Sequence, residues 1–212
     1  IQTVERENVQ PLADALAQRH DWAVFTSPAG VHAAVHALAK LGRDLRALYG
    51  MKLAAIGRGT ADALAGYGLT ADLIPAQYDG EHLADALTAA MPQGGAALLL
   101  RAAAGGQILP EKLKAAGVYV TDVPLYDTEY SCAKADELRA MLEQGAADIV
   151  TFTSMSTVEG FGQAVGAADY TGFTALCIGE QTAQAARRYN MNVKIAENAT
   201  IDAMIACLLE ES

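Results

Sequence analysis

Short apolar runs recur along the chain at 22–25, 53–56, 96–100, 149–152 and 175–178, and amphipathic stretches of helix length lie between them. Continuous apolar runs of four or five residues predict strands buried on both faces. The helix starts are legible in places: Ser27 stands where it can cap and Pro28 takes the first helical position. Strands and helices in alternation predict parallel sheets covered by helices, an α/β fold.

The same pattern occurs twice. Asp21-Trp-Ala-Val-Phe-Thr-Ser27 resembles Asp148-Ile-Val-Thr-Phe-Thr-Ser154, Ile56-Gly57-Arg-Gly-Thr60-Ala61 resembles Ile178-Gly179-Glu-Gln-Thr182-Ala183, and 74–87 resembles 195–208. Thr26 and Thr153, Thr60 and Thr182, and Leu87 and Leu208 stand 127, 122 and 121 positions apart. Three matches in one order at a near-constant offset predict a duplication and hence two lobes. The first lobe is expected over 7–122 and the second over 131–212, with 1–6 and 123–130 as extended linker strands. One βα unit, 96–123, has no counterpart in the second copy, which is therefore expected to lack a strand and a helix.

Length permits this division, because 212 residues exceed the usual single-domain size. With 52% hydrophobic and 19% charged residues the chain reads as an ordinary globular protein. A formal charge of −10 without a basic stripe argues against nucleic acid and anionic lipid as partners. No apolar run reaches the roughly 20 residues of a membrane span, and the opening residues do not read as a signal peptide, so the expected location is the cytoplasm. Cys132, Cys177 and Cys207 are too scattered for a disulfide framework or a metal site, and Cys177 and Cys207 read as small buried hydrophobes.

In both copies Phe-Thr-Ser falls where a strand ends and a helix begins. That brings the hydroxyls of Thr26, Ser27, Thr153 and Ser154, with the free amides of the first helical turn, to the carboxyl edge of the sheet, a place suited to anions. Gly57 and Gly179 allow close backbone approach, and Thr60 and Thr182 add hydroxyls in the next opening turn. The competing reading is that Ser27, Thr60, Ser154 and Thr182 only cap their helices. Asp62 stands where a dinucleotide fingerprint needs a third small residue, which argues against a nucleotide site. His32 and His36 share a helix face but lack a third ligand and read as exposed, and His20 and His82 look equally ordinary. Tyr126 lies in a linker segment, where its phenol is either a proton donor or a packing group. Arg101, before Gly105-Gly106, reads as a carboxylate clamp or a surface charge.

Phe25-Thr-Ser27, Ile56-Gly57-x-x-Thr60-Ala61, Leu100-Arg101 with Gly105-Gly106, Leu125-Tyr126-x-Thr128, Phe152-Thr-Ser154 and Ile178-Gly179-x-x-Thr182-Ala183 form an ordered set that resembles the uroporphyrinogen-III synthase family. The resemblance implies two flavodoxin-like lobes with parallel sheets, joined by a two-stranded β linker, with the active site between them. It implies a cofactor-free, metal-free cytoplasmic monomer acting on hydroxymethylbilane, a linear tetrapyrrole bearing acetates and propionates. Water leaves the terminal hydroxymethyl group, a spiro intermediate forms, and the macrocycle closes with its last ring inverted.

The resemblance also places Tyr126 at the departing hydroxyl. It gives Thr26, Ser27, Gly57, Thr60, Arg101, Gly105, Gly106, Thr153, Ser154, Ser156, Gly179 and Thr182 to substrate binding. Two departures stand out: the family's first βα unit is not seen before the first linker strand, and Ala29-Gly30 stand where some relatives carry a basic residue. The alternative is a non-enzymatic bilobed binding or sensor protein for a small anion.

Overall fold

Side chains of successive strand residues point to opposite faces of a sheet, so a fully apolar strand feeds two cores. The computed structural model describes residues 2–130 and 133–209, and shows this in its first unit, Thr3–Thr128. Its elements are β1 (Gln2–Glu5), α1 (Gln10–Leu16), β2 (Trp22–Phe25), α2 (Pro28–Lys40), β3 (Lys52–Ala55), α3 (Arg58–Ala65), α4 (Gly80–Ala90), β4 (Ala96–Ala102), α5 (Ile108–Ala115) and β5 (Tyr119–Glu129). The strand order is β1-β5-β4-β2-β3, and the β5-β4, β4-β2 and β2-β3 pairings are parallel. Ala23, Phe25, Leu98 and Leu100 join one core with Leu12, Val31, Leu38 and Leu64 from α1 to α3. Trp22, Val24, Ala97 and Leu99 join the other with Leu83, Leu87, Leu109 and Leu113 from α4 and α5. Leu98, Leu99 and Leu100 are fully buried, and each contributes about 1.5–3 kcal/mol relative to exposure.

β5 extends the sheet from Tyr119 onward. Val123 and Pro124 lie opposite Leu100 and Arg101, and after an irregularity Tyr126 lies opposite Ala102. β1 runs beside β5, and Arg6 closes a two-point ion pair on Asp127 (2.8 and 2.9 Å) that holds the Asp127 carboxyl below the usual carboxylate range.

The second unit comprises Gln2 and the described residues from Glu129 onward. It contains α6 (Ala135–Glu143), β6 (Ile149–Phe152), α7 (Met155–Val165), β7 (Thr174–Cys177), α8 (Glu180–Arg188), β8 (Asn192–Ile195) and α9 (Ile201–Leu209). The three strands pair in parallel in the order β6-β7-β8. The repeat maps β2-α2-β3-α3 onto β6-α7-β7-α8, and α4 onto α9. β2 is fully buried between β4 and β3, whereas among the described residues β6 has a strand partner on the β7 side alone, and Ile149 and Val150 are half-buried. On α9, Ile201, Ile205 and Leu209 form an exposed stripe at four-residue spacing.

Cys177 is buried, and desolvation pushes its thiol up to about 11, an inert setting. Cys207 is half-buried, and Cys132 lies outside the described residues. Among the described residues no helix is long and apolar enough to cross a membrane.

His20 departs from the expectation of an ordinary histidine. It is buried (5% exposed), Nε2 meets Thr121 Oγ1 at 2.9 Å, and among the described residues Nδ1 is buried with no partner. The cause was invisible locally, since Thr121 lies 101 residues away. Burial lowers the folded-state pKa of His20 below the ordinary 6.5. The unfolded chain therefore takes up a proton there before the folded one does. Stability is expected to fall as pH drops from 6.5 towards the folded value. Denaturant midpoints at steps across this window check the slope, and His20→Gln is expected to flatten it.

Candidate functional site

Parallel strands end at one edge of their sheet, and the loops leaving them collect there. In the first unit these are Thr26-Ser27 after β2, Ile56-Gly57 after β3 and 103–107 after β4. The adjacent β5 brings Tyr126 opposite Ala102. Ser27 adopts extended backbone and caps α2, its Oγ accepting from Gly30 N–H at 2.9 Å. The Tyr126 hydroxyl lies 2.8 Å from the same Oγ. Tyr126 is 6% exposed, its ring packed in the core with Phe25 and Val123. It is thus both a packing group and a phenol held at a helix N-terminus. Thr26 beside it is half-buried.

The two hydroxyls carry two protons, and their mutual hydrogen bond uses one. Whichever donates, one O–H remains for a group outside the pair. The donor is therefore fixed in place by the Gly30 amide on one side and the Tyr126 ring packing on the other.

α3 begins differently. Its N-cap is Gly57, in extended backbone and without a side-chain capping bond, so the first-turn amides have no acceptor from their cap. Thr60 is 3% exposed and stands inside the first turn, three residues past Gly57, so it is not the cap of this helix. A methyl on Gly57 would stand 2.8 Å from the Tyr78 ring, so glycine is needed here for packing.

The second unit repeats the arrangement. Ser154 caps α7 in a capping box with Thr157 and touches Ser156 Oγ at 3.0 Å, while Thr153 is exposed. Gly179 is the N-cap of α8, again without a side-chain bond, and Thr182 is buried like Thr60. The expectation that these hydroxyls serve only as caps thus divides: Ser27 and Ser154 cap, Thr60 and Thr182 do not. The copies differ in charge, because Arg58 opens α3 and Glu180 opens α8. Glu180 is bound by Arg187 at 2.8 Å, which keeps its carboxyl ionised below the ordinary range.

Arg101 is neither at the surface nor open to an outside carboxylate. It is 3% exposed, with its fork closed on Asp122 (2.9 and 2.6 Å) and its remaining nitrogen donating to the Gly106 carbonyl at 2.7 Å. Sequence reasoning missed Asp122. The signal available was the lone base of β4, Arg101, which needs a carboxylate from the neighbouring strand once it is buried. His32 and His36 are exposed, as expected, and point to separate partners, the Tyr67 hydroxyl and Glu5. Among the described residues no group of three or more His, Cys, Asp or Glu could hold a metal ion.

The model of the family described as uroporphyrinogen-III synthase HemD matches residues 1–206. The porphyrin biosynthesis protein HemD of Ruminiclostridium josui is 34% identical over 193 residues, 91% of this chain, although the match spans 38% of that relative's length. The uroporphyrinogen-III synthase of Synechococcus elongatus is 27% identical over 93% of this chain and 78% of its own. Among solved structures, a mutant uroporphyrinogen III synthase from Thermus thermophilus matches with a TM-score of 0.68 and 25% identity, over 100% of this chain and 87% of that one. The synthetase from Helicobacter pylori shares the fold at 16% identity and a TM-score of 0.68, over 100% of this chain and 90% of its own. Matched by this family's model over residues 1–206, and 34% identical over 91% of its length to a porphyrin biosynthesis HemD protein, the chain belongs to the uroporphyrinogen-III synthase HemD family.

Proposed function

We propose that this chain catalyses the family's reaction, closing hydroxymethylbilane to uroporphyrinogen III as a cytoplasmic monomer. The observation that carries the reading is the Tyr126 phenol held 2.8 Å from Ser27 Oγ at the head of α2. The hydroxyl pair delivers its one free O–H proton to the terminal hydroxymethyl oxygen, the C–O bond breaks and water departs. The C–O electrons leave with the water, the pyrrole nitrogen of that ring supplies the pair that fills the electron-deficient carbon, and loss of its N–H proton, which restores the hydroxyl pair, gives a neutral azafulvene. Carbon–carbon bond formation at the last pyrrole then gives the spiro intermediate, whose rearrangement closes the inverted ring.

Substrate carboxylates meet uncapped amides and hydroxyls. Thr26, Ser27, Gly57, Thr60, Gly105 and Gly106 serve in the first lobe, and Thr153, Ser154, Ser156, Gly179 and Thr182 in the second. Such donors hold a polyanion without giving up the protein's net charge of −10. Holding the chain curled favours one closure geometry over the other, so binding and product choice are one task.

The test is incubation of the purified chain with freshly generated hydroxymethylbilane, followed by oxidation and chromatographic separation of the porphyrin isomers. Dominant isomer III is expected. Isomer I alone, from folded protein, would overturn the reading in favour of a binding protein.

A further inference from the structure

A charged guanidinium removed from water is costly unless it is paired and hydrogen-bonded. Arg101 meets that condition only through Asp122 and Gly106, and no outside anion is required to complete it. Resting on the synthase reading, we infer that Asp122 is a positioning residue: through Arg101 it fixes the 102–107 loop in the conformation that receives substrate. Arg101 is the strut between them rather than a substrate ligand.

The loop is tied at three points. Arg101 Nη1 donates to the Gly106 carbonyl, Gly105 N–H donates to the Ala102 carbonyl at 3.1 Å, and Ala103 N–H donates to the Tyr126 carbonyl at 2.9 Å. The last bond joins the loop to the backbone of the residue that carries the phenol. The two glycines also differ. A methyl on Gly105 would stand 2.5 Å from Arg101 Nη1, which is buried and bonded to Gly106, and 3.1 Å from the Ala102 carbonyl, whereas a methyl on Gly106 meets nothing within 4 Å. Gly105 is therefore needed by the strut, and the open space at Gly106 is left for the ligand.

The experiment uses the whole chain, the isomer assay, and amide hydrogen exchange of Gly105, Gly106 and Gln107. Asp122→Asn is expected to lower kcat for isomer III roughly 10- to 100-fold, as loss of a supporting partner does elsewhere, and to speed exchange in the loop. Because Gly105 and Gly106 of this loop meet substrate, KM is expected to rise as well, to about the same extent in Asp122→Asn as in Arg101→Gln. Arg101→Gln should behave alike, the double variant should be no worse than Arg101→Gln alone, and Asp122→Glu should recover part of the loss. Gly105→Ala should reproduce the defect. Gly106→Ala should leave loop exchange unchanged.

Wild-type kcat and loop exchange in Asp122→Asn would overturn the inference. So would a raised KM in Arg101→Gln that Asp122→Asn does not share, since Arg101 would then meet substrate directly. Should Asp122→Asn lose its fold, Gly105→Ala decides, because it presses on Arg101 without unpairing a charge. Were the unaltered chain to give isomer I alone, the synthase reading would fail, while the loop-exchange comparison would still decide whether Asp122 and Arg101 set the loop.

Discussion

Tyr126→Phe is expected to lower kcat for isomer III by about 100-fold, the lower end of what a positioned proton donor contributes. The ring that packs with Phe25 and Val123 is kept, and only the hydroxyl bonded to Ser27 is lost. Stability should therefore fall by about 1 kcal/mol, the net worth of one hydrogen bond, and KM should hardly move, because the group acts as the C–O bond breaks. Isomer chromatography and urea denaturation of the same preparation separate these effects. A variant with unchanged kcat and lowered stability would reduce Tyr126 to a packing residue. Ser27→Ala is the companion variant: it leaves the phenol but removes its anchor and the α2 cap, costing about 1 kcal/mol and a smaller share of kcat.

Leu99→Ala is expected to destabilise the first lobe by about 2–5 kcal/mol. Leu99 is fully buried on β4, inside the sheet between β5 and β2, where it packs with Trp22, Leu87 and Leu113. Neighbours fixed by two flanking strands and two helices cannot collapse into the space left behind, which places the cost towards the upper part of that range. Val150→Ala on β6 should cost less, about 1 kcal/mol, because Val150 is already half-buried. Denaturant midpoints at constant m-value measure both.

The strands and both Phe-Thr-Ser edges were legible because local pattern decides them. Runs 22–25 and 149–152 are the observed β2 and β6, and Ser27 and Ser154 cap the helices that follow. Cap geometry depends on the three or four residues next to it, and these are adjacent in sequence. What escaped notice depends on distant partners. Asp122 and Arg101 meet because β5 pairs with β4, and His20 is buried because Thr121 arrives on the same strand. The sequence marks β5 as extended only from Val123, although it begins at Tyr119. Its first four residues, Tyr119 to Asp122, are exposed or half-buried and include the polar Thr121 and Asp122, which gives no apolar run to recognise. Thr60 and Thr182 stay ambiguous between cap and ligand in the sequence, because a threonine at the third helical position looks the same either way until the glycine N-cap is seen.

The contrast between β2 and β6 sets where the molecule opens first. An amide on β2 exchanges with solvent only when the sheet of the first lobe comes apart, since strands bond it on both sides. Among the described residues an amide on the outer side of β6 needs no such event, and α9 packs Met204 against Leu176 and Ala196 while turning three large apolar residues to water. Protection against exchange is expected to rise in steps from β6 and α9 to β2 and β4. Among the described residues the lowest step also sets an unpaired strand edge beside apolar surface, the combination from which ordered aggregates grow, so handling losses on storage or heating are expected to begin there.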